Sequence, residues 1–451
     1  MSKFRPVFYY LLILCLSALT VLSTAGYEKV RSAAFVEPLP QGTVCIASQM
    51  PGRDIGAKVN ACDSKLGANR GEIRLDGGGT VSTPIVISPN HTLRVVSGVY
   101  RANNPGVVIR LKDNSSLTCS SWDAVLEEST GPLGPGGVQP FTIVASYNGT
   151  SMDAPNGTAS KNISVSGCHF RGARPSWDSS SQTVAMGNCH DCTVSNNWLE
   201  NTRTIGIQMG GSPALGQYAQ NVTISKNLLT GVASQNIAVV NAVDSSVVDN
   251  VIKAAGQEGG PGVVPIDIEP NVGDRIQNIK VIGNTIDMSR TPIDNSGAKG
   301  LHGIAINNSN GANPFTGVLV DRNTIYGAEL SDPNNHVSGG LILARTASNT
   351  VISNNILRRG IYCVLLDAGS RGVTVIGNQL STCGSGSTYP IKIEDSSSNQ
   401  ILNNRLWGDP ANLYDFSSIS KNIVETGTSN NNIYRGNDAN ISTKGPGSRR
   451  N

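Results

Sequence analysis

The sequence predicts an all-β fold in which one chain winds as a single-stranded parallel β-helix. A phrase of the form apolar-x-apolar-x-x-Asn-x-apolar recurs from about residue 162, with its Asn positions between 23 and 39 residues apart. A second short strand, in which every other residue is apolar, precedes the copies of this phrase. No helical pattern lies between the strands. Such strands bury their apolar sides only against the opposite walls of a coil, which indicates a solenoid of about ten or more coils. The Asn positions, with Cys in the first place, are Cys168, Asn197, Asn227, Asn250, Asn284, Asn323, Asn355, Asn378, Asn404 and Asn437.

This recurring Asn predicts a column of stacked side chains along the rod. Asn tolerates a left-handed backbone bend, and its amide can hydrogen-bond to the next Asn in the stack.

The chain begins with a predicted signal peptide at residues 1–25. Lys3 and Arg5 precede an apolar run from Val7 to Leu22, followed by small residues. An uncleaved membrane anchor is the alternative, but this run of sixteen residues is short for a membrane span. Later segments are not apolar enough to cross a bilayer. We therefore expect a secreted or periplasmic protein without stable membrane insertion after cleavage.

The solenoid needs a cover at its open end, and a short helix is predicted there. We expect a lead-in at residues 26–53, a capping helix at Asp54–Gly67, the β-helix domain at 54–440 and a disordered tail at 441–451. The helical face consists of Ile55, Val59, Cys62 and Leu66.

Charge and cysteine content narrow the class further. The formal net charge of +3 gives no reason to expect nucleic acid as a partner. Eight cysteines remain after the signal peptide, and an even number in an exported chain favours disulfides. We predict the pairs Cys45 with Cys62 and Cys363 with Cys383. The segment from Cys189 to Cys192 is compatible with a local disulfide, with bridges to other cysteines, with free thiols, or with metal or redox chemistry.

The chain resembles the right-handed β-helix proteins of the pectate lyase superfamily. The repeats between Asn162 and Asn437 carry most of this resemblance. The entry at Asp54–Ala61, followed by Leu66-Gly67 and Gly71–Leu75, resembles that of the polygalacturonase-like branch. The resemblance implies a right-handed solenoid. It also implies an activity on acidic polysaccharides, or a noncatalytic role in binding or surface structure.

Three segments compare with the polygalacturonase motifs. Leu301-His302-Gly303 is similar to Gly-His-Gly, and Pro390-Ile391-Lys392 is faintly similar to Arg-Ile-Lys. The Asp-Asp motif is replaced by Asp267-Ile268-Glu269, and Asn-Thr-Asp has no convincing counterpart. These departures argue against hydrolysis of polygalacturonate.

Asp267 and Glu269 are the predicted catalytic or metal-binding centre. On a strand, Ile266 and Ile268 face one side and the carboxylates face the other, with Cα atoms about 6.6 Å apart. Carboxylates at roughly 6.5 to 9.5 Å suit inverting glycoside hydrolysis. The same pair could hold Ca²⁺ for a lyase that acts on a uronate, or it could be an incidental part of a solvated face.

The surrounding candidates follow from loop lengths and residue chemistry. The longest loops, at 253–265, 287–301 and 326–339, are consecutive and enter the strands that carry the acidic pair and its neighbours. We expect a base at His302 or Lys392 and a clamp for a substrate carboxylate at Arg345. We expect further substrate contacts at Asn307, at Lys392 and at Trp177, which could stack on a sugar.

The sequence thus predicts an exported protein that binds a polysaccharide and cleaves it by β-elimination or hydrolysis. The alternative is a noncatalytic surface, adhesion or polysaccharide-binding protein. Oligomeric state is not predicted.

Overall fold

The structure is a computed structural model, and the description covers most of the chain after residue 42. The described residues are 43–103, 106–128, 141–146, 148–149, 155–172, 181–202, 205–253, 264–289, 302–312, 315–327, 340–383, 389–407, 422–442 and 446–450.

Parallel sheets run the length of the rod and form its walls. Each turn of the chain passes from sheet 1 to sheet 2 and then to sheet 3. In the middle coils a short sheet 4 lies between sheet 3 and the next strand of sheet 1. Sheet 1 contains Thr43–Ile46, Gly71–Leu75, His91–Val95, Ser116–Cys119, Ser164–Ser166, Thr193–Ser195, Thr223–Ser225, Ser246–Val248, Lys280–Ile282, Val318–Asp321, Thr350–Ser353, Thr374–Ile376, Gln400–Leu402, Ile433–Arg435 and Arg449–Arg450.

The other sheets follow the same order along the rod. Sheet 2 contains Gly79–Val81, Gly98–Ala102, Ala124–Glu127, His169–Arg171, Trp198–Glu200, Leu228–Thr230, Val251–Lys253, Thr285–Asp287, Thr324–Tyr326, Ile356–Arg358, Gln379–Ser381 and Arg405–Trp407. Sheet 3 contains Ile85–Ile87, Gly106–Leu111, Phe141–Ala145, Gln182–Gly187, Ile205–Gly210, Gln235–Val239, Val264–Ile268, Ile304–Asn307, Gly340–Arg345, Tyr362–Asp367, Ile391–Glu394, Asn422–Thr426 and Asn440–Ser442. Sheet 4 contains Ser160–Lys161, Cys189–His190, Ala219–Gln220, Ala242–Val243, Ile276–Gln277 and Phe315–Thr316.

The remaining elements are few in the described part of the chain. They are the antiparallel pair Asn148–Gly149 and Pro155–Asn156, the α-helix Ile55–Leu66, and the 3₁₀ helices Ala47–Gln49 and Pro213–Leu215. None of these helices is long and apolar enough to cross a membrane.

The core lies inside the coil and runs along the rod. On sheet 3, for example, Ile237, Ile266 and Ile304 are aligned in neighbouring strands and fully buried. Because a single coil cannot bury its apolar face alone, stacking of coils supplies the hydrophobic stabilisation. This arrangement confirms the predicted all-β parallel β-helix.

The predicted Asn column is present between sheets 1 and 2. Asn284 Nδ2 donates to Asn323 Oδ1 at 2.9 Å, and Asn284 Oδ1 accepts from the amide nitrogen of Asn250 at 3.0 Å. The same bond repeats from Asn197 to Asn437, and the backbone N–H of Cys168 donates to Asn197 at its head. Most Asn side chains of the column are fully buried. Their hydrogen bonds pair the polar groups of the turn in place of water.

The left-handed residue lies one position earlier than predicted. Asn196, Lys226 and Asp249, each just before a column Asn, have φ of 57°, 56° and 54°. The column Asn therefore stabilises the turn by its side-chain hydrogen bonds, while the preceding residue makes the bend.

The predicted capping helix is present as Ile55–Leu66. Asp54 caps it by accepting from the backbone N–H groups of Gly56 and Ala57 at 2.8 and 3.2 Å. From the helix, Asp63 accepts from Ser88 N at 2.9 Å and pairs with buried His91 at 2.7 Å. These bonds attach the cap to the first coils.

Disulfides join the cysteines that follow the predicted signal peptide. The predicted pairs Cys45–Cys62 and Cys363–Cys383 are confirmed. The other pairs are Cys119–Cys168 and the local Cys189–Cys192, which removes the metal and free-thiol alternatives for that segment. Disulfides of this number are typical of extracellular or periplasmic proteins.

The strands extend beyond the limits predicted for the domain. Thr43–Ile46, in the predicted lead-in, pairs with Gly71–Leu75, and Arg449–Arg450, in the predicted tail, pairs with Ile433–Arg435. The signal peptide at 1–25 lies outside the described residues, and the domain division stays a prediction.

Candidate active site on the outer face of sheet 3

The acidic pair lies on sheet 3 where the sequence places it. Ile266 and Ile268 are fully buried in the core, so Asp267 between them points to the outer face. Asp267 is aligned with Ala238 on one side and Ala305 on the other, and is only 3% exposed. Glu269 directly follows the strand and is exposed.

Asp267 and Glu269 interact through their side chains. Burial and the negative charge of Glu269 raise the pKa of Asp267 well above its ordinary value, while a hydrogen bond from Gln235 opposes the rise. A contact between two carboxyls is stable only when one of them carries a proton. Asp267 therefore keeps its proton to a higher pH than an ordinary aspartic acid.

Gln235 is part of the site and was not among the predicted residues. Its Nε2 donates to Asp267 Oδ2, and it lies on the neighbouring strand, aligned with Val264. The sequence indicates Gln235 only through the register of the repeats. Gln235 lies one coil before Asp267, three residues before Ala238, which is aligned with Asp267.

Asn307, predicted to contact substrate, contacts Glu269 in the structure. Asn307 Nδ2 donates to Glu269 Oε1 at 2.9 Å, and the backbone N–H of Ser309 donates to Asn307 Oδ1 at 3.2 Å. The Ser309 hydroxyl donates to the same oxygen. These bonds hold the exposed carboxylate at the end of the strand.

His302 lies at the entrance to the next strand and is mostly buried. Its Nδ1 contacts the carbonyl oxygen of Gly340 at 3.0 Å. Since a carbonyl only accepts, Nδ1 carries the proton and Nε2 of the neutral ring is an acceptor. Burial lowers the pKa of His302, and Arg345 lowers it further, against opposing effects of the Gly340 carbonyl and Asp367. A neutral imidazole suits a base.

Arg345 is paired within the protein. Its Nε and Nη2 donate to Asp367 Oδ2 at 2.9 and 2.6 Å, and its side chain is 44% exposed. Arg345 is aligned with Asn307, so its guanidinium lies along the same edge of sheet 3 as Glu269. The predicted clamp is thus near the acidic pair, and its charge is shared with Asp367.

Lys392 is paired with Glu394 and lies on the strand next to that of Asp367. Its Nζ lies 2.7 Å from Glu394 Oε2 and 5.5 Å from the ring centroid of Tyr362. Burial lowers the pKa of Lys392, but Glu394 and its other neighbours outweigh burial and raise it overall. Lys392 therefore stays charged and does not suit the role of base. Trp177 and most of the long loops predicted to wall the site lie outside the described residues.

The interaction of the two carboxyls changes the chemistry expected from their Cα spacing. An inverting hydrolase keeps its carboxyls roughly 6.5 to 9.5 Å apart to admit a water molecule, whereas the side chains of Asp267 and Glu269 interact directly. The pair is instead suited to holding and transferring one proton.

The described residues fit Ca²⁺ poorly. Ca²⁺ takes six to eight oxygen ligands, whereas the amides of Gln235 and Asn307 direct N–H groups at the two carboxyls. Among the residues that the structure describes, no group of three or more His, Cys, Asp or Glu side chains is placed to hold a metal ion.

Comparison with known proteins confirms the fold. No protein-family model and no curated protein matches the chain in sequence. It is similar in structure to the A-module of Azotobacter vinelandii mannuronan C-5 epimerase AlgE4, with a TM-score of 0.58, 14% identity, and coverage of 80% of this chain and 91% of that one. It is also similar to the catalytic unit of a GH87 α-1,3-glucanase from Streptomyces thermodiastaticus, with a TM-score of 0.57, 18% identity and coverage of 91% and 71%.

A third similar structure is a mutant tailspike protein of E. coli bacteriophage HK620 in complex with a pentasaccharide. Its TM-score is 0.51 at 12% identity, with coverage of 88% of this chain and 76% of that one. The chain is thus a right-handed parallel β-helix, as its repeats predicted. At these identities the likeness shows the fold.

Proposed function

We propose that this protein is an exported enzyme that cleaves an acidic polysaccharide at the Asp267–Glu269 pair. The observation that carries the proposal is a buried carboxyl on the outer face of sheet 3, whose pKa is raised by burial and by the neighbouring exposed Glu269. Perturbed carboxyls of this kind concentrate at reactive sites. The similar structures support a polysaccharide substrate, since their names include a mannuronan epimerase, a glucanase and a pentasaccharide complex.

β-Elimination fits the geometry better than inverting hydrolysis. A base removes the proton from the carbon beside a uronate carboxylate. The electron pair of the broken C–H bond forms a carbon–carbon double bond, and the glycosidic oxygen leaves with a proton. Neutral His302 or exposed Glu269 is the base, and the protonated pair supplies the leaving oxygen with its proton. Arg345 stabilises the substrate carboxylate, in competition with Asp367.

The raised pKa of Asp267 also favours an anionic substrate. At pH values below that pKa, Asp267 is neutral and the pair carries a single negative charge instead of two. This reduces repulsion of a uronate at the site.

The test is a panel of acidic and neutral polysaccharides assayed for unsaturated products by ultraviolet absorbance and for reducing ends. Wild type is compared with Asp267→Asn/Glu269→Gln, and Glu394→Gln is the matched control because that acid lies elsewhere on the same face, paired with Lys392. We expect unsaturated product that the double variant loses and the control retains.

Other outcomes identify the alternatives. Reducing ends without unsaturated product, lost in the double variant, would indicate hydrolysis. Binding without product in wild type would favour the noncatalytic polysaccharide-binding protein. Addition of Ca²⁺ and of a chelator tests the metal prediction, and we expect little effect of either because the donors at the pair are N–H groups.

A further inference from the structure

Ser309 and Asn307 connect to Glu269 through a chain of directed hydrogen bonds. Asn307 ends the strand Ile304–Asn307, and Ser309 lies in the turn that follows. Asn307 Oδ1 receives both the backbone N–H and the hydroxyl of Ser309, while its Nδ2 donates to Glu269 Oε1 at 2.9 Å. The hydrogen bonds thus run in one direction, from Ser309 to Asn307 to Glu269.

The direction of these bonds determines the orientation of the amide. A backbone N–H can only donate, so the Asn307 atom that faces Ser309 must be the oxygen. The nitrogen then faces Glu269, whose carboxylate can only accept. If the amide turned over, its oxygen would face that carboxylate and its NH₂ group would face the backbone N–H of Ser309.

The turn that carries Ser309 is itself attached to the strand of the acidic pair. Asn310 Nδ2 donates to the carbonyl oxygen of Pro270 at 3.0 Å. Asn308 Oδ1 accepts from the backbone N–H of Ala312 at 2.7 Å, which closes the turn. Ser309 is therefore held at a defined position relative to Glu269, even though its own side chain is exposed.

We infer that Ser309 and Asn307 are positioning residues, which fix the orientation of the Glu269 carboxylate against Asp267. Glu269 is exposed, and its side chain has several rotatable bonds, so without this restraint it samples orientations away from Asp267. Ser309 acts through Asn307 and does not contact Glu269 in the structure. This inference assigns roles within the site of the proposed function, but its central test does not depend on activity.

The central test is a double-mutant cycle on stability. The midpoints of urea unfolding are compared for wild type, Ser309→Ala, Glu269→Gln and the double variant. Because the effect of Ser309 reaches Glu269 through the amide, we expect the shifts of the single variants not to add. A second cycle, Asn307→Leu with Glu269→Gln, is expected to show a larger departure from additivity, because those side chains touch.

A matched control separates positioning from simple loss of a hydroxyl. Ser353 Oγ donates to Asp321 Oδ1 at 2.7 Å on sheet 1, and Ser353→Ala removes a serine hydroxyl bond on a different sheet from Glu269. The shifts of Ser353→Ala and Glu269→Gln are expected to add. Ser309→Thr keeps the hydroxyl and is expected to restore the wild-type coupling.

Once a substrate is identified, kinetics supply a second readout. We expect Ser309→Ala to lower kcat by about tenfold with little change in KM, because the substrate-binding groups are unaffected and the reacting carboxylate is misplaced. Ser309→Thr should recover kcat.

Additive shifts in both the Ser309 and Asn307 cycles would overturn the inference. If the shifts in unfolding midpoint added in the Ser309 cycle alone, Ser309 would not be a positioning residue. If every polysaccharide in the panel gave no product while the cycles showed coupling, the proposed function would fail and the positioning would stand.

Discussion

Glu425 and Asp267 are both buried carboxyl groups on sheet 3, but the structure accommodates them in opposite ways. Glu425 is fully buried, and its Oε1 accepts from Asn432 Nδ2, the Tyr434 hydroxyl and Ser448 Oγ at 2.7, 2.7 and 2.8 Å. Asp267 has Gln235 as a donor and another acid as its neighbour.

The difference separates a structural carboxylate from a reactive one. Several hydrogen-bond donors around a carboxylate stabilise its negative charge. The donors around Glu425 connect it to neighbouring residues of the last coils. Burial raises the pKa of the Tyr434 phenol, and its bond to Glu425 raises it further, so that hydroxyl remains a donor. A carboxyl with few donors and an adjacent acid instead retains a proton that it can transfer. The following experiments test this contrast.

The largest expected effect is on stability at Glu425. In Glu425→Leu, the donors of Asn432, Tyr434 and Ser448 lose a buried partner, and we expect a loss of about 3–5 kcal/mol in unfolding free energy. Urea denaturation measures it. Asp267→Asn should change the same free energy by less than about 1 kcal/mol, because asparagine has a similar shape and is neutral beside Glu269. Equal losses in both variants would contradict the contrast.

The Asn column offers an intermediate effect. The Asn284 side chain makes bonds to Asn250, Asn323, Val247 and Ile282, whereas Asn437 at the end bonds only Asn404 and Ile401 among the described residues. We expect a loss of about 3 kcal/mol for Asn284→Ala and about 1 kcal/mol for Asn437→Ala. Thermal or urea unfolding measures both. Similar losses at the two positions would show that the number of hydrogen bonds made by a column Asn does not determine its contribution to stability.

A smaller effect is expected in the pH dependence of stability. The pKa of Asp267 is raised in the folded state above its ordinary 3.8, so the folded protein binds more protons than the unfolded chain at pH values between these two pKa values. The contribution of this carboxyl is fully present below the unfolded pKa and is lost as pH rises towards the folded one. Asp267→Asn should therefore become progressively more stable relative to wild type as pH rises from about 4.

Unfolding free energies of both proteins at several pH values check this prediction. Glu394→Gln serves as the control, since that acid is paired with Lys392. A constant difference between wild type and Asp267→Asn across the range would show that the pKa of Asp267 is not raised.

The smallest effect is expected at the ion pair of Arg345 with Asp367. Its arginine is 44% exposed, and exposed pairs contribute about 0–1 kcal/mol. We expect Arg345→Met, Asp367→Asn and their combination each to alter the unfolding free energy by less than about 1 kcal/mol. Loss of affinity for an acidic polymer in Arg345→Met alone would then assign that residue to substrate binding. A large stability loss would make it a structural residue like Glu425.

The sequence by itself determined the fold, because each coil repeats the same physical requirement. A period-two strand with an apolar side, a bend and a buried Asn recur together, and only a stack of coils satisfies all three. The same local rule determined that Asp267 faces outward between Ile266 and Ile268, since side chains alternate on a strand. The capping helix and the disulfides Cys45–Cys62 and Cys363–Cys383 were predicted from similarly local patterns.

Only the tertiary structure decided the chemistry of the site, because it depends on side chains brought together from different coils. Gln235 reaches Asp267 across 32 residues, Asn307 reaches Glu269 across 38, and Asp367 reaches Arg345 across 22. Periodicity predicts which face a residue occupies, but not which neighbour its side chain will meet. The proton on Asp267, the pairing of Arg345 and the orientation of Asn307 all result from such contacts, so they could not be read from the order of residues along one strand.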